Sequence, residues 1–487
     1  MRRLRRRMTA VLTALLLLTL LIPWGLAEPA PGPHQTTVLF THDLHSHFLP
    51  LERADGGESG GYARLASALE QQRALHPDAL TLDGGDFSIG SLVQTLYTTR
   101  AAELRTMGAL GYDATTAGNH EFDHTGLGFA QMLTAAYTSG DPLPALLMAN
   151  YAPSAGGPDQ LDIQRAMSAY GVTDTLLLER GGVTYGIFGL MGTDSDDCAP
   201  TSGFTLEDPV QAAQRCVDSL EEQGAQFIIA LSHSGTDERE RKSEDQQLAR
   251  EVEGIDLILS GHTHTTLTQP IVEGDTYIVS AGPYSENLGS ITLEWSEDGS
   301  KTLVDYQLIP IDQTLPEDQE IASLVEEWKA QVGLSGGFRS KDIVILEEEM
   351  GRAATDLYIC TDDGSYGYHG FVTGKLEELI QGGAQYDHVV AIGPLMMMKF
   401  ACKLTEKYHI PTTVSMNPIM IDGTGMCGCC RVTVGGEVKF ACVDGPDFDG
   451  HQVDFDEVIA RNATYREFEA RRKQDHLCRL GGGAMNG

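Results

Sequence analysis

Asp, His and Asn side chains crowd five short stretches of this sequence. Residues 37–41 run into Asp43-Leu44-His45, residues 79–82 into Asp83-Gly84-Gly85-Asp86, and residues 114–117 into Gly118-Asn119-His120-Glu121-Phe122-Asp123. Farther along, residues 227–231 run into Ser232-His233-Ser234-Gly235, and residues 255–260 into Gly261-His262-Thr263-His264. A polar turn after a strand would account for any one of them. The same pattern at all five calls for another reason. Carboxylate and amide oxygens with imidazole nitrogens form a mixed hard and borderline donor set, which suits divalent cations. An imidazole beside a carboxylate also suits proton transfer.

Something must hold these groups together. Short continuous apolar runs are the pattern of buried strands. In sheets covered by helices, ligands gather outside the carboxyl ends of the strands. The five runs therefore predict strands whose ends share one crevice. Helical spacing is read over residues 62–75, 101–110, 126–137, 209–222 and 244–253, with further strands at 145–149 and 183–191. Residues 151–160 read as a loop, and Asn150 as a strand end or an accessory site residue. From Thr276 onward, residues 276–281, 290–295 and 302–309 predict antiparallel strands closing a mixed sheet, with a turn at Glu297-Asp298-Gly299. Residues 315–332 read as a helix. The expectation is an α/β domain over 36–310, a linker helix within 311–336, and a smaller region over 337–487.

A chain of 487 residues is too long for one ordinary core. Its formal charge of −35 argues against a nucleic-acid backbone as partner, because that surface is bound through Lys and Arg. A phosphate substrate would have to be drawn in by local positive charge, most simply by bound cations. Residues 2–7 are basic, residues 8–22 apolar, and Gly25 and Ala27 small, the pattern of a secretory signal peptide over 1–27. The apolar run is short for a membrane span. Cleavage before Glu28 and a secreted or periplasmic protein with no stable membrane insertion are expected. Of nine cysteines, only Cys198 and Cys216 precede residue 335. The rest, Cys360, Cys402, Cys427, Cys429, Cys430, Cys442 and Cys478, include a tight cluster suggesting a metal or cluster site.

The motifs Asp43-x-His45, Gly85-Asp86, Gly118-Asn119-His120-Glu121, His233 and Gly261-His262-x-His264 resemble, in order and spacing, those of the calcineurin-like metallophosphoesterases. Gly60-Gly61-Tyr62-Ala63-Arg64-Leu65 and Phe122-Asp123 resemble the 5′-nucleotidase branch. The resemblance covers about residues 36–330 and implies two packed sheets flanked by helices. It implies two divalent ions of the Zn, Mn or Fe type, one held by Asp43, His45, Asp86 and His264, the other by Asp86, Asn119, His233 and His262. His120 would then act on the leaving oxygen, with Asp123 orienting its ring. The implied substrate is a small-molecule phosphate ester, nucleotides foremost. His42, His47, His124 and Asp83 carry no such role and read as turn, surface or supporting residues.

Past about Gly337 the sequence resembles a different family. Ser340-Lys341-Asp342, Cys360-Thr361-Asp362-Asp363-Gly364-Ser365-Tyr366-Gly367 and Ala391-Ile392-Gly393-Pro394 are similar to the carboxyl-terminal part of flavin and iron–sulfur oxidoreductase subunits. These include ferredoxin–NADP oxidoreductase alpha, sulfide dehydrogenase, and the electron-transfer subunit of dihydroorotate dehydrogenase. Asp422, Cys427, Cys430 and Cys442 resemble a [2Fe–2S] ligand spacing with Asp in place of one Cys, and Cys429 is an extra thiol beside it. A zinc knuckle or free thiols are the alternatives. No Gly-x-Gly-x-x-Gly turn is read in 311–340, so a complete dinucleotide crevice is not expected. The tail therefore reads as a graft that does not confer reductase activity. Electron transfer through its cluster is the competing function.

Overall fold

The computed structural model describes residues 34–463 apart from residues 55, 158 and 296–300. The signal-peptide reading, the turn at 297–299 and Cys478 lie outside the described residues.

Two six-stranded sheets form the larger part of the fold. In the first, the order is Lys301–Pro310, Asn287–Trp295, His34–Thr41, Leu80–Asp83, Ala114–Thr116, Ala145–Leu147. In the second it is Ile271–Glu273, Thr276–Val279, Leu257–Ser260, Phe227–His233, Val183–Met191, Thr175–Arg180. Val38, Phe40, Leu80 and Leu82 of one sheet pack with Tyr185, Ile187, Phe227 and Ile229 of the other. Each such side chain contributes about 1.5–3 kcal/mol on burial. These strands are apolar on both faces because each sheet is covered again on its outer side. The first sheet is covered by helices Tyr62–Leu75, Ala102–Leu110 and Thr125–Ser139, the second by Pro209–Glu222 and Glu244–Glu251.

Register sets what meets at the strand ends. Thr41 pairs with Asp83 in parallel, so the loops that follow lie side by side. Ser232 pairs with Ser260, and His233 with Met191, also in parallel. The pairing continues beyond the strands: Asp43 donates its backbone N–H to Gly85 (2.8 Å), His45 to Asp86 (3.0 Å) and Gly261 to Ser232 (2.9 Å).

Three elements depart from expectation. The run from Thr276 does not close one sheet. Thr276–Val279 pairs in parallel with Leu257–Ser260 in the second sheet, while Asn287–Trp295 and Lys301–Pro310 join the first. Strand Thr175–Arg180 was not expected; it forms a hairpin with Val183–Met191 across Gly181-Gly182, both at positive φ, the backbone a tight hairpin turn needs. Helix Gln160–Tyr170 begins at the end of the stretch read as a loop. The helix expected over 315–332 spans Gln319–Lys329, capped by Asp318, and buries Ile321, Val325 and Trp328 against the first sheet's helical layer.

The tail forms two small sheets and a hairpin. Gly333–Phe338, Asp356–Thr361 and Tyr368–His369 run in parallel, so regular pairing starts before residue 337. Val389–Ile392, Thr412–Ser415 and Asp447–Asp449 make the second sheet, and Arg431–Val434 pairs with Glu437–Phe440. A modest core around Met398, Val414, Val432 and Phe448 holds the last part together.

Candidate metal centre

All seven side chains expected to ligate cations gather where the two sheets' strand ends meet. Asp43, His45 and His264 offer ligand atoms within 4.8 Å of one another, and so do Asp86, His233 and His262. Asp86 stands between the groups, with Oδ2 3.1 Å from His233 Nε2 and 3.9 Å from His45 Nε2. Asn119 Oδ1 lies 3.0 Å from His262 Nδ1 and accepts from Ser195 Oγ. His45 Nε2 and His264 Nε2 are 3.0 Å apart. His120 is not remote from this cluster: it forms a third group of the same tightness with His45 and Asp86.

The backbone around these groups is unusual. Asp43, His45, Asp86, His262 and His264 all have φ between 47° and 71°, left-handed values that side chains other than glycine rarely adopt. Such conformations persist where the surroundings over-determine them, and they cluster at functional sites. Gly118 has a different reason to be glycine. A Cβ there would run into the Asp86 carboxylate and the His233 ring.

Hydrogen bonds fix ring orientations. His233 Nδ1 donates to Gly84 O at 2.8 Å, and His45 Nδ1 to Ile89 O at 2.9 Å. The Nε2 atoms are thereby left facing the centre. Two atoms stand out: Asp43 Oδ1 and His233 Nε2 are buried with charged neighbours, His264 Nε2 at 3.3 Å and Asp86 Oδ2 at 3.1 Å, but without a well-directed hydrogen bond. Buried polar atoms are ordinarily satisfied by directed bonds, so ligand-type atoms crowded together without them, one in each group, fit a cation-binding role.

The local potential is negative. Burial alone would push the His233 ring down, but the Asp86 carboxylate outweighs it and raises the ring to about 10. His120 behaves alike: burial lowers it, while Asp123 and Asp86 lift it to about 9. Burial would raise Asp43, yet its bonds to His264, His42 and His45 hold it well below the usual carboxylate range. The field that favours protonated imidazoles also favours cations.

Three supporting residues were not assigned from sequence. His42 is buried; its Nδ1 donates to Asp43 Oδ2 at 2.5 Å while its Nε2 accepts from the backbone N–H groups of Ala281 and Gly282. Glu121 accepts from the backbone of Gly118, Asp86 and Ser88 and from Ser88 Oγ, tying two site loops together. Asp194 Oδ2 lies 3.0 Å from His262 Nε2. Asp83, read as a turn residue, is buried and accepts from Thr41, Thr115 and Gly85. Asn150 lies between the strands Ala145–Leu147 and Tyr151–Pro153, and its side chain bonds to Met191 and Glu207 backbone. His120 Nδ1 lies 3.0 Å from Asp123 Oδ2, both partly exposed at the rim.

The tail's candidate ligands are less closely gathered. Cys430 Sγ and Cys442 Sγ are 3.2 Å apart, and Asp422 Oδ2 accepts from Cys427 N at 2.8 Å. Cys427 and Cys429 are exposed. Among the described residues, no cluster of three tight ligand atoms includes a tail cysteine.

This two-sheet fold with its strand-end cluster defines a class. Residues 36–266 match the calcineurin-like phosphoesterase family and form a domain of that kind. Residues 417–454 match the iron–sulfur cluster binding domain of dihydroorotate dehydrogenase B, so the chain joins two unrelated domains. Among curated relatives, the 5′-nucleotidase of Bos taurus is 30% identical over 337 residues, which is 63% of this chain and 55% of that protein. The dihydroorotate dehydrogenase B (NAD(+)) electron transfer subunit homolog of Thermotoga maritima is 41% identical over 202 residues, 40% of this chain and 66% of that protein. The solved 5′-nucleotidase precursor of Thermus thermophilus aligns with a TM-score of 0.52 at 25% identity, covering 61% of this chain and 58% of that one. The chain thus spans between about half and two thirds of the length of these relatives.

Proposed function

We propose that the chain is a phosphoesterase using two divalent cations, with nucleotides as its foremost substrates. The observation that carries this reading is the convergence of Asp43, His45, Asp86, Asn119, His233, His262 and His264 in two tight groups with Asp86 between them. Asp43, His45, Asp86 and His264 would hold one cation; Asp86, Asn119, His233 and His262 the other. Bound cations of the Zn, Mn or Fe type would act as Lewis acids on the phosphoryl oxygens and supply an activated water at neutral pH. The residues do the rest. Asp86 serves both positions. His120, oriented by its contact with Asp123, stabilises or protonates the leaving oxygen. His42 and Glu121 hold the loops carrying Asp43 and Asp86 in place.

A panel of phosphate esters, including nucleoside monophosphates and cyclic diesters, tested with and without added cation on purified protein would decide the matter. Metal-dependent phosphate release supports the reading; none from any ester contradicts it.

A second reading concerns the tail. The family match over 417–454 and the 3.2 Å approach of Cys430 to Cys442 favour a bound iron–sulfur cluster, with Asp422 and Cys427 as further ligands. Anaerobic purification with iron and sulfide analysis and visible absorption tests this; colourless, iron-free protein contradicts it. We also propose export, on the pattern of residues 1–27. Among the described residues, no helix is long and apolar enough to cross a membrane. A mature mass beginning at Glu28 supports export with cleavage, and a retained Met1 contradicts it.

A further inference from the structure

One cluster is left over once the dinuclear centre is drawn. His262 has two ring nitrogens with separate surroundings. Nδ1 faces Asn119 Oδ1 at 3.0 Å, on the side of the proposed centre. Nε2 faces away, 3.0 Å from Asp194 Oδ2, and Cys198 lies beyond it. Asp194, Cys198 and His262 each present a ligand atom within 4.8 Å of the others.

The placement is built by the fold. Asp194 belongs to the one-turn helix Thr193–Asp197 and Cys198 caps its end, with Cys198 N–H donating to Asp194 O at 3.1 Å. Residues four apart on a helical turn lie on one face. The turn itself is pinned. Gly192 N–H donates to His233 O at 3.0 Å, continuing the strand pairing, and Glu244 accepts from Thr193 N and Asp194 N. So two ligands come from one helical face and a third from the loop after Leu257–Ser260, all anchored by backbone hydrogen bonds.

We propose that Asp194, Cys198 and His262 form a third, exchangeable cation site that shares the His262 ring with the dinuclear centre and favours thiophilic divalent ions. Three protein ligands of Cys, His and carboxylate type with a fourth position open to solvent make an exchangeable rather than a closed structural site. The thiolate supplies preference for zinc or cadmium over manganese or magnesium. Binding displaces the thiol proton and the Nε2 proton, which pass to solvent. With its Nε2 proton gone the ring is an imidazolate bridging two cations, and repulsion from the added ion weakens the first centre's hold on its own. Filling the third site therefore lowers hydrolysis. The site itself rests on distances alone; its effect on rate rests on the function proposed above.

The test uses the full chain with cadmium as probe, in wild type, Cys198→Ser and Asp194→Ala. Tail thiols contribute equally to all three. Equilibrium dialysis should give one more cadmium per chain in wild type than in Cys198→Ser, with a thiolate-to-cadmium absorption band in the difference spectrum. Asp194→Ala should raise the Kd of that extra ion about tenfold or more, the scale of losing a metal-site partner. Hydrolysis, each protein normalised to its own cadmium-free rate, should fall with cadmium in wild type and much less in Cys198→Ser. Equal stoichiometry and no difference band would overturn the site. An extra ion without rate loss would overturn its coupling to the dinuclear centre. Absence of hydrolysis in every protein would count against the phosphoesterase reading and leave the site to be judged by dialysis and absorption.

Discussion

The two halves of the chain treat ligand-type side chains in opposite ways. From Asp43 to His264 the donors sit in a closed scaffold. Asp43, Asp86 and His233 are buried, five site residues hold left-handed backbone, and the loops are stitched by backbone hydrogen bonds. From Asp422 to Cys442 the candidates lie on a short hairpin and the loop before it, with Cys427 and Cys429 exposed. Strain like that of the first site survives only where the surroundings enforce it. The first site is therefore set by the fold before any cation arrives. The second is set only in part: Cys430 is buried in the tail's core, while Asp422 and Cys427 lie exposed.

Breaking the first site should give the largest effects. Asp86→Ala removes the one carboxylate between both ligand groups, so phosphate release should fall to background and bound metal should drop, by assay and elemental analysis. His120→Ala should sharpen the division between ligand and acid. It should lose about 10²–10⁴-fold in kcat, the usual worth of a positioned acid, while keeping its metal. His262→Ala should lose metal instead. Equal metal loss in the two would mean that His120, which sits close to His45 and Asp86, is itself a ligand.

A smaller effect tests how completely the scaffold is buried. Glu103 lies under the site loop, accepting from Ser46 Oγ at 2.7 Å, and burial lifts it to about 7. Its folded value exceeds its unfolded one, so its stabilising contribution is full below about pH 4.5 and is lost as pH rises through about 7. The loss should approach about 3 kcal/mol. Denaturant unfolding of Glu103→Gln should show a flatter pH profile than wild type over that window; parallel profiles would refute the assignment.

The smallest effect should come from removing the tail. Trp328 donates to Thr106 Oγ1 at 2.9 Å and lies under Arg105, so the helix Gln319–Lys329 must be kept. Truncation after Val332 should leave turnover on a small phosphate ester unchanged. A large loss would show that the tail supports the first domain or its substrate.

Much of the first site was legible because its ligands follow strands, and strands announce themselves as apolar runs. Helices Tyr62–Leu75 and Pro209–Glu222 were equally plain from their spacing. Residues that act through pairing were not. Asp194 is one acid among many until the register of Val183–Met191 against Phe227–His233 brings it to His262. His42 sits beside Asp43 in sequence, yet its role depends on the Ala281 and Gly282 backbone arriving from more than 200 residues away. The strand Thr175–Arg180 did leave a signal, the Gly181-Gly182 pair, which suits a tight hairpin. Nothing local said that Thr276–Val279 would join a different sheet from Asn287–Trp295; that choice belongs to tertiary packing.

The central claim is a preformed centre for two cations, and metal titration of stripped protein tests it most directly. Full-length protein treated with chelator should keep its fold by circular dichroism and lose hydrolysis of a nucleoside monophosphate. Adding manganese should restore phosphate release, reaching its plateau at two equivalents per chain. Restoration complete at one equivalent, or hydrolysis untouched by stripping, would contradict the account.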